Sequence, residues 1–356
     1  MSDDALPKTV QQWVEQRAPL LYWHIERFSD GYTCIGFSFH HLVIDGYGVN
    51  LIIHRVGQEL CGHGEEMPII PLPDTNPLLA LVDDVRKSKS AQSSADGEAV
   101  KKPQPGPSPS HEIPTPIALS SMPILSRKLL FISPSRLSAL LKERQDGVSR
   151  GDVLAAFFLK ACQVRRDDPG ATFTLGNVAS VHPYARSLDT YIHNAAIPLP
   201  YPPFEGDSLQ RHTVGSLAAI LAETRKSFKD RVIDKFLETL DYLESGNSKT
   251  KTVGGQRGEG NVEQLLMSNL CSFDVANVDW SACLVDDADP RLGTDRNGQH
   301  PRGRTIFRVR DAIVPEGALS PDVIIIVGHL WDGTLLLDAA LVEEKMTLLQ
   351  RAIEAL

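Results

Sequence analysis

Cysteine is scarce here, and the few present are not paired in sequence. Cys34, Cys61, Cys162, Cys271 and Cys283 form an odd, scattered set without a C-x-x-C, which suits neither a disulfide framework nor a zinc site. Basic charge is in deficit as well. Lys and Arg number 36 against 45 Asp and Glu, a net charge of -9, so the clustered basic face that phosphate contacts demand is missing and a nucleic-acid partner is excluded. Long apolar runs are missing too: Val323 to Val327 has the length and β-branching of a buried strand, not the roughly 18 residues of a membrane span. Met1-Ser2-Asp3-Asp4 lacks the basic and apolar regions of a secretory leader. These absences lead to the expectation of a cytosolic protein acting on a small molecule, with no metal and no membrane partner.

What is present is enough apolar material for a substantial interior. With 42% hydrophobic residues over 356 positions, the chain can bury one large core or two ordinary ones, and two domains are expected. The first segment reads as a hairpin, Pro19 to Phe28 and Tyr32 to His40, around a turn at Ser29-Asp30-Gly31. Val49, Ile52, Ile53, Val56 and Leu60 follow at helical spacing. Residues 88–120 are dominated by Ser, Lys, Gly and Pro and read as a flexible linker between a partial domain at 1–87 and a second domain at 121–356. Beyond it, strands are expected at Lys128 to Ile132, Asn177 to Val181, Leu266 to Phe273, Val323 to Val327 and Thr334 to Leu341. Helices are expected after Ser133 and Ser149, at Leu217 to Phe228, and at Glu343 to Leu356. Gly254 to Gly260 lacks the Lys-Ser/Thr ending of a phosphate loop and reads as a crossover.

The chemistry concentrates where the hairpin ends, in His40-His41-Leu42-Val43-Ile44-Asp45-Gly46. Histidine titrates nearest neutral pH, so His41 can take a proton from a hydroxyl or amine and pass it on. Asp45, with Gly46 after it, can fold back through a tight turn and hold the local geometry. His40, its neighbour in the strand, is expected on the opposite face. His24, His54 and His63 share no ligand spacing, so no metal site is expected.

His41 to Gly46 resembles the H-x-x-x-D-G signature of the BAHD acyltransferases, within the wider superfamily of chloramphenicol acetyltransferase and the condensation domains. Ser149-Arg150-Gly151-Asp152-Val153-Leu154-Ala155-Ala156 resembles the family's S-x-x-D-x-L-x-A helix start, Tyr191-Ile192-His193-Asn194-Ala195 its Y-x-G-N segment, and Leu337 to Leu349 its closing strand and helix. The resemblance is nearest to fungal members linked to secondary metabolism. It implies an α/β fold of two chloramphenicol-acetyltransferase-like domains, mixed sheets flanked by helices, with the first domain incomplete because only 40 residues precede His41. It also implies acyl transfer from acyl-CoA, a co-substrate rather than a bound cofactor, to a hydroxyl or amine of a small acceptor. His41 would be the general base, attack would be direct without an acyl-enzyme, and Asp45 would pair with an arginine to fix the loop.

Ser268 and Asn269 resemble a polar pair lining the family's channel. Asp279 and Trp280, in Asp279-Trp280-Ser281-Ala282-Cys283, are the counterpart of its D-F-G-W-G loop near CoA, without the glycines. His182 stands where the arginine is expected, with Arg186 as a rival, and His193 replaces the glycine of Y-x-G-N. A monomer is expected unless another chain covers the hairpin's exposed face. Two further readings stand beside this one: a condensation-like enzyme using carrier-protein thioesters, and a non-catalytic binding protein on the same fold.

Overall fold

The computed structural model describes residues 15–19, 21–29, 33–39, 41, 43–64, 77–95, 125–165, 168, 170–185, 188–189, 191–199, 201–229, 231–244, 262–273, 278, 280, 322–330 and 332–356. Two antiparallel strands open the fold, β1 (Leu21–Arg27) and β2 (Thr33–Phe39). Alternation places Leu21, Phe37 and Phe39 on one face, toward Ile44, Val49, Ile52 and Ile53 of the following turn and helix α1 (Gly46–Leu60). The seam between them encloses about 10 Å³, at the limit for a single water molecule. Farther along that face the apolar residues outrun the helix: Trp23 is 45% exposed and Ile25 64%.

Helix α2 (Pro77–Ala95) crosses the boundary expected at residue 88. Lys, Ser, Ala and Gln between 87 and 95 include neither Gly nor Pro and can propagate a helix already nucleated. Residues 96–120 lie outside the described residues, as does Gly254 to Gly260.

The second half is built on a seven-stranded mixed sheet: β3 (Leu125–Ile132), β4 (Thr172–Ser180), β5 (Ala196–Pro198), β6 (Phe204–Glu205), β7 (Val262–Asn269), β8 (Val323–His329) and β9 (Leu335–Val342). Its order is β3-β9-β8-β7-β4-β5, with β6 on β4; β4, β7 and β8 are mutually parallel and the other pairings antiparallel. The strand expected to reach Phe273 stops at Asn269, and Cys271–Phe273 is a single 3-10 turn, since the Asn269 carboxamide accepts the Cys271 N–H and bends the chain out of the ladder.

One face of the sheet is covered by helices. Leu335, Leu337, Ala339 and Leu341 of β9, Ile324 and Ile326 of β8, and Leu265 and Met267 of β7 point into this core. They meet α4 (Arg150–Ala161), α6 (Val214–Lys229) and α8 (Glu343–Glu354); α3 (Pro134–Leu141) joins at the β3 edge, while α5 (Gly206–Arg211) follows β6. Helix α7 (Val232–Glu244) was not read from the sequence, although Val232, Ile233, Phe236, Leu237 and Leu240 have helical spacing. Phe228, Val232 and Phe236 pack with Leu78 of α2 and Ile197 of β5, so the first half is docked on the second through its own core. On the sheet's other face, Ile325, Val327 and Leu336 form a smaller apolar patch beside a bidentate Arg127–Asp338 pair.

Helix α4 starts as its sequence prescribes. The Ser149 hydroxyl accepts the Asp152 N–H, and Asp152 accepts the Ser149 N–H at 2.8 Å. The buried Asp152 carboxylate also receives the Arg225 guanidinium, which ties α4 to α6 and holds the Arg225 pKa above its ordinary value. Asp152→Ala removes both contacts and leaves Arg225 without its anion. We expect it to cost about 2–3 kcal/mol, read as a lower urea midpoint with an unchanged slope against denaturant.

Candidate active site

The H-x-x-x-D-G segment leaves β2 and turns into α1 through Asp45. The Asp45 side chain is 5% exposed, and its Oδ1 caps α1 by accepting the Gly48 N–H at 3.0 Å. Its Oδ2 accepts the Ala195 N–H, also at 3.0 Å, from the segment just before β5. A carboxylate at the positive end of a helix is favoured by the helix dipole as well as by these bonds. No arginine pairs with Asp45 among the described residues, and Arg186 lies outside them.

The expected arginine position is taken by a different arrangement. His182, 1% exposed, donates from Nε2 to the Tyr191 carbonyl and accepts the Ser180 hydroxyl at Nδ1, each at 2.9 Å. Its ring stacks on Tyr47 with centroids 4.0 Å apart. Two backbone N–H groups bond the Asp45 oxygens, and His182 makes its own hydrogen bonds to Ser180 and Tyr191 instead. Tyr47 donates to the Asp189 carbonyl, and its pKa is raised, first by burial and then by the negative charges of Asp189 and Asp45.

Residues 191–195 form a strap over the motif. Asn194 Nδ2 donates to the His41 carbonyl at 2.7 Å, and His193 Nδ1 donates to the Val43 carbonyl at 2.9 Å. Ile44 and His193 make an antiparallel bridge. The Ile192 carbonyl packs against Gly48 so closely that a Cβ there would lie 1.8 Å from its oxygen. Gly46 has a comparable constraint: a Cβ would lie 2.8 Å from the Phe273 ring, at the end of the turn after β7. His54 donates from Nε2 to the Phe273 carbonyl, adding a polar tie between α1 and that turn.

His41 is exposed at the head of this held loop, and Asp45 is buried at its foot. Ser268 is half-buried at the C-terminal end of β7, and Asn269 next to it is committed to the Cys271 N–H. Trp280 packs with Ile53, Val278, Phe37, Val49 and Phe273, its indole Nε1 buried without a partner. His40 and Asp279 lie outside the described residues. The structure thus brings His41, Asp45 and Gly46 together with the strap, whereas Trp280 is placed beside α1, away from any described contact with Ser268. The strap's contacts were not read from the sequence. Asn194 was visible only as part of a family-like segment, and the close approach of Ile192 to Gly48 leaves no signal beyond the glycine itself.

Four cysteines fall among the described residues, and none of them forms a disulfide. Burial pushes Cys162 up to about 12 and Cys271 up to about 11, so neither supplies a thiolate nucleophile near neutral pH. Among the described residues no cluster of three or more His, Cys, Asp or Glu is placed to hold a metal ion, and no helix is long and apolar enough to cross a membrane.

No family model matches the chain. No curated protein sequence matches it either. Solved structures do. TRI101 of F. sporotrichioides, complexed with coenzyme A and T-2, aligns over 92% of this chain and 67% of its own, with 15% identity and a TM-score of 0.59. Polyketide synthase associated protein 5 from Mycobacterium tuberculosis aligns over 94% of this chain and 75% of its own, at 15% identity and a TM-score of 0.54. Vinorine synthase aligns over 95% and 66%, at 12% identity and a TM-score of 0.52. The chain therefore has the chloramphenicol-acetyltransferase-like α/β fold expected from its motifs, and it spans about two thirds of the length of TRI101 and vinorine synthase.

The contact at Gly48 gives a direct check. Gly48→Ala has to push Ile192 away and should cost about 1–3 kcal/mol. Hydrogen exchange should report the site of damage, with the Ala195 amide losing protection ahead of amides in β8 and β9.

Proposed function

We propose that the protein is a BAHD-type acyltransferase that moves an acyl group from acyl-CoA to a hydroxyl or amine of a small molecule, with His41 as the general base. The observation that carries this is His41 itself: an exposed imidazole at the head of a loop whose main chain is held at His41 and Val43, and whose Asp45 carboxylate is held as well, by one strap. A neighbour in fold, TRI101, is solved with coenzyme A and T-2, which supports a thioester donor and a small acceptor.

The step balances without an acyl-enzyme. A ring nitrogen of His41 takes the acceptor's proton as its oxygen or nitrogen attacks the thioester carbon. The tetrahedral intermediate then expels the CoA sulfur, and the imidazolium returns the proton to give free thiol. Asp45 takes no part in proton transfer, because both of its oxygens are committed to backbone N–H groups. Its role is to keep the loop where the base is useful. The raised thiols of Cys162 and Cys271 fit direct attack rather than a covalent intermediate. Ser268 is our candidate for a polar group lining the donor's path, at the end of β7 where the chain turns toward Gly46. An acyl-CoA donor fits a cytosolic setting, and a small acceptor fits secondary metabolism.

General-base catalysis contributes on the order of 10²–10⁴-fold. His41→Ala should lower the release of free CoA thiol from acetyl-CoA, measured across a panel of alcohol and amine acceptors, by at least about 100-fold. CoA binding by calorimetry should survive the substitution. An unchanged rate would remove His41 from the chemistry, and absence of both release and binding in the wild-type protein would favour a binding protein.

A further inference from the structure

Acyl transfer at His41 makes no chemical use of Ser180 or of the His182 ring, yet these two have the geometry of a nucleophile and its base. The Tyr191 carbonyl can only accept, so His182 Nε2, 2.9 Å from it, carries the ring proton. In the neutral ring Nδ1 then holds a lone pair, and the Ser180 hydroxyl donates to it at 2.9 Å. A hydroxyl within hydrogen-bond reach of a base that a third group orients is the general arrangement of an activated serine. The stack of Tyr47 on the ring, with centroids 4.0 Å apart, holds its plane. With His182 only 1% exposed, bulk water does not compete for Nδ1.

The hydroxyl also stands where a substrate can approach it. Phe173 and Leu175 of β4 point into the helix-covered core, and Ala179 and Val181 pack with Ile197 and Phe228. Alternation therefore sends Val178 and Ser180 to the opposite face. Val178 is 58% exposed there, and Ser180 is half-buried. Pairing of β4 with its parallel neighbour β7 ends at Asn177, so Ser180 lies past that ladder. It is at the carboxyl end of parallel strands, where open α/β sheets take their ligands.

We propose that Ser180 and His182 form a second reactive centre, a serine nucleophile with its base, which hydrolyses small carboxylic esters independently of acyl transfer at His41. Ser180 Oγ attacks the ester carbon while His182 Nδ1 takes its proton. The bond to the alcohol oxygen breaks, and the imidazolium protonates the departing alcohol. Water then attacks the acyl-serine and gives its proton to Nδ1, and that proton returns to Oγ as the carboxylic acid leaves. The sum is ester and water to acid and alcohol, with Ser180 and His182 restored. Throughout, Nε2 keeps its proton on the Tyr191 carbonyl.

The test uses the full chain without CoA and two probes, diisopropyl fluorophosphate and p-nitrophenyl acetate. An activated serine displaces fluoride from the first, so intact mass should show a single adduct and peptide mapping should place it on Ser180. Ser180→Ala should lose the adduct and lower the release of p-nitrophenol by at least about 100-fold. His182→Gln should slow labelling of Ser180 by a similar factor, about 100-fold or more, because the nucleophile loses its base. Folding of each variant is checked by its thermal melt. The wild-type protein alone is already decisive, since an absent adduct, or one found only on other residues, overturns the proposal. Labelling of Ser180 at an unchanged rate in a folded His182→Gln protein overturns it too, because the histidine would then be a structural partner and no base. Labelling that depends on both residues upholds the centre even in a protein that consumes no acyl-CoA.

Discussion

The arrangement depends on one buried side chain, Asp45, which joins two parts of the chain 150 positions apart. Its Oδ1 starts α1, and its Oδ2 holds the strap that precedes β5. Hydrogen bonds to a charged group contribute more than neutral ones, about 1.5–3 kcal/mol each, and both partners here are backbone donors that would otherwise be orphaned. Beside that tie stand the contacts of Asn194 and His193 with the His41 and Val43 carbonyls, of His54 with the Phe273 carbonyl and of Tyr47 with the Asp189 carbonyl.

The sheet supplies the fixed frame for this junction. Pairing of β4 with β5 sets where the excursion from Val181 to Ala195 begins and ends, with Val181 N–H donating to the Ala195 carbonyl at 2.7 Å. His182 then anchors the middle of the excursion at Tyr191, and the strap that follows lies over the motif. From the neighbouring parallel strand, β7, the chain turns at Cys271–Phe273 and meets Gly46. Two glycines are therefore steric requirements imposed from opposite sides, Gly48 by a backbone carbonyl and Gly46 by an aromatic ring. The packing that admits them also explains why an exposed histidine can be held without being buried.

Much of this was legible in the order of residues. The hairpin, α1, the capping box at Ser149, β8, β9 and α8 follow from alternation, helical spacing and capping chemistry, all of which act over a few neighbouring positions. Departures arose where distant contacts decide. Helix α2 extends into a stretch that composition alone reads as linker. The turn after Asn269 ends a strand whose pattern would have continued to Phe273. The partner of Asp45 could not be read at all: an aspartate before a glycine signals a turn, but which donor reaches its second oxygen depends on where β5 lies.

The sequence by itself determined the local pieces, a strand ending just before His41, a capped helix after Asp45 and a buried strand at Val323, because each depends on periodicity and on residues a turn apart. Only the tertiary structure decided what surrounds His41: a backbone amide in place of an arginine, a strap carrying Asn194, and Ile192 pressed on Gly48. Those contacts span separations of about 150 residues, and they are selected by the register of a sheet whose strands carry no record of what their connections will touch.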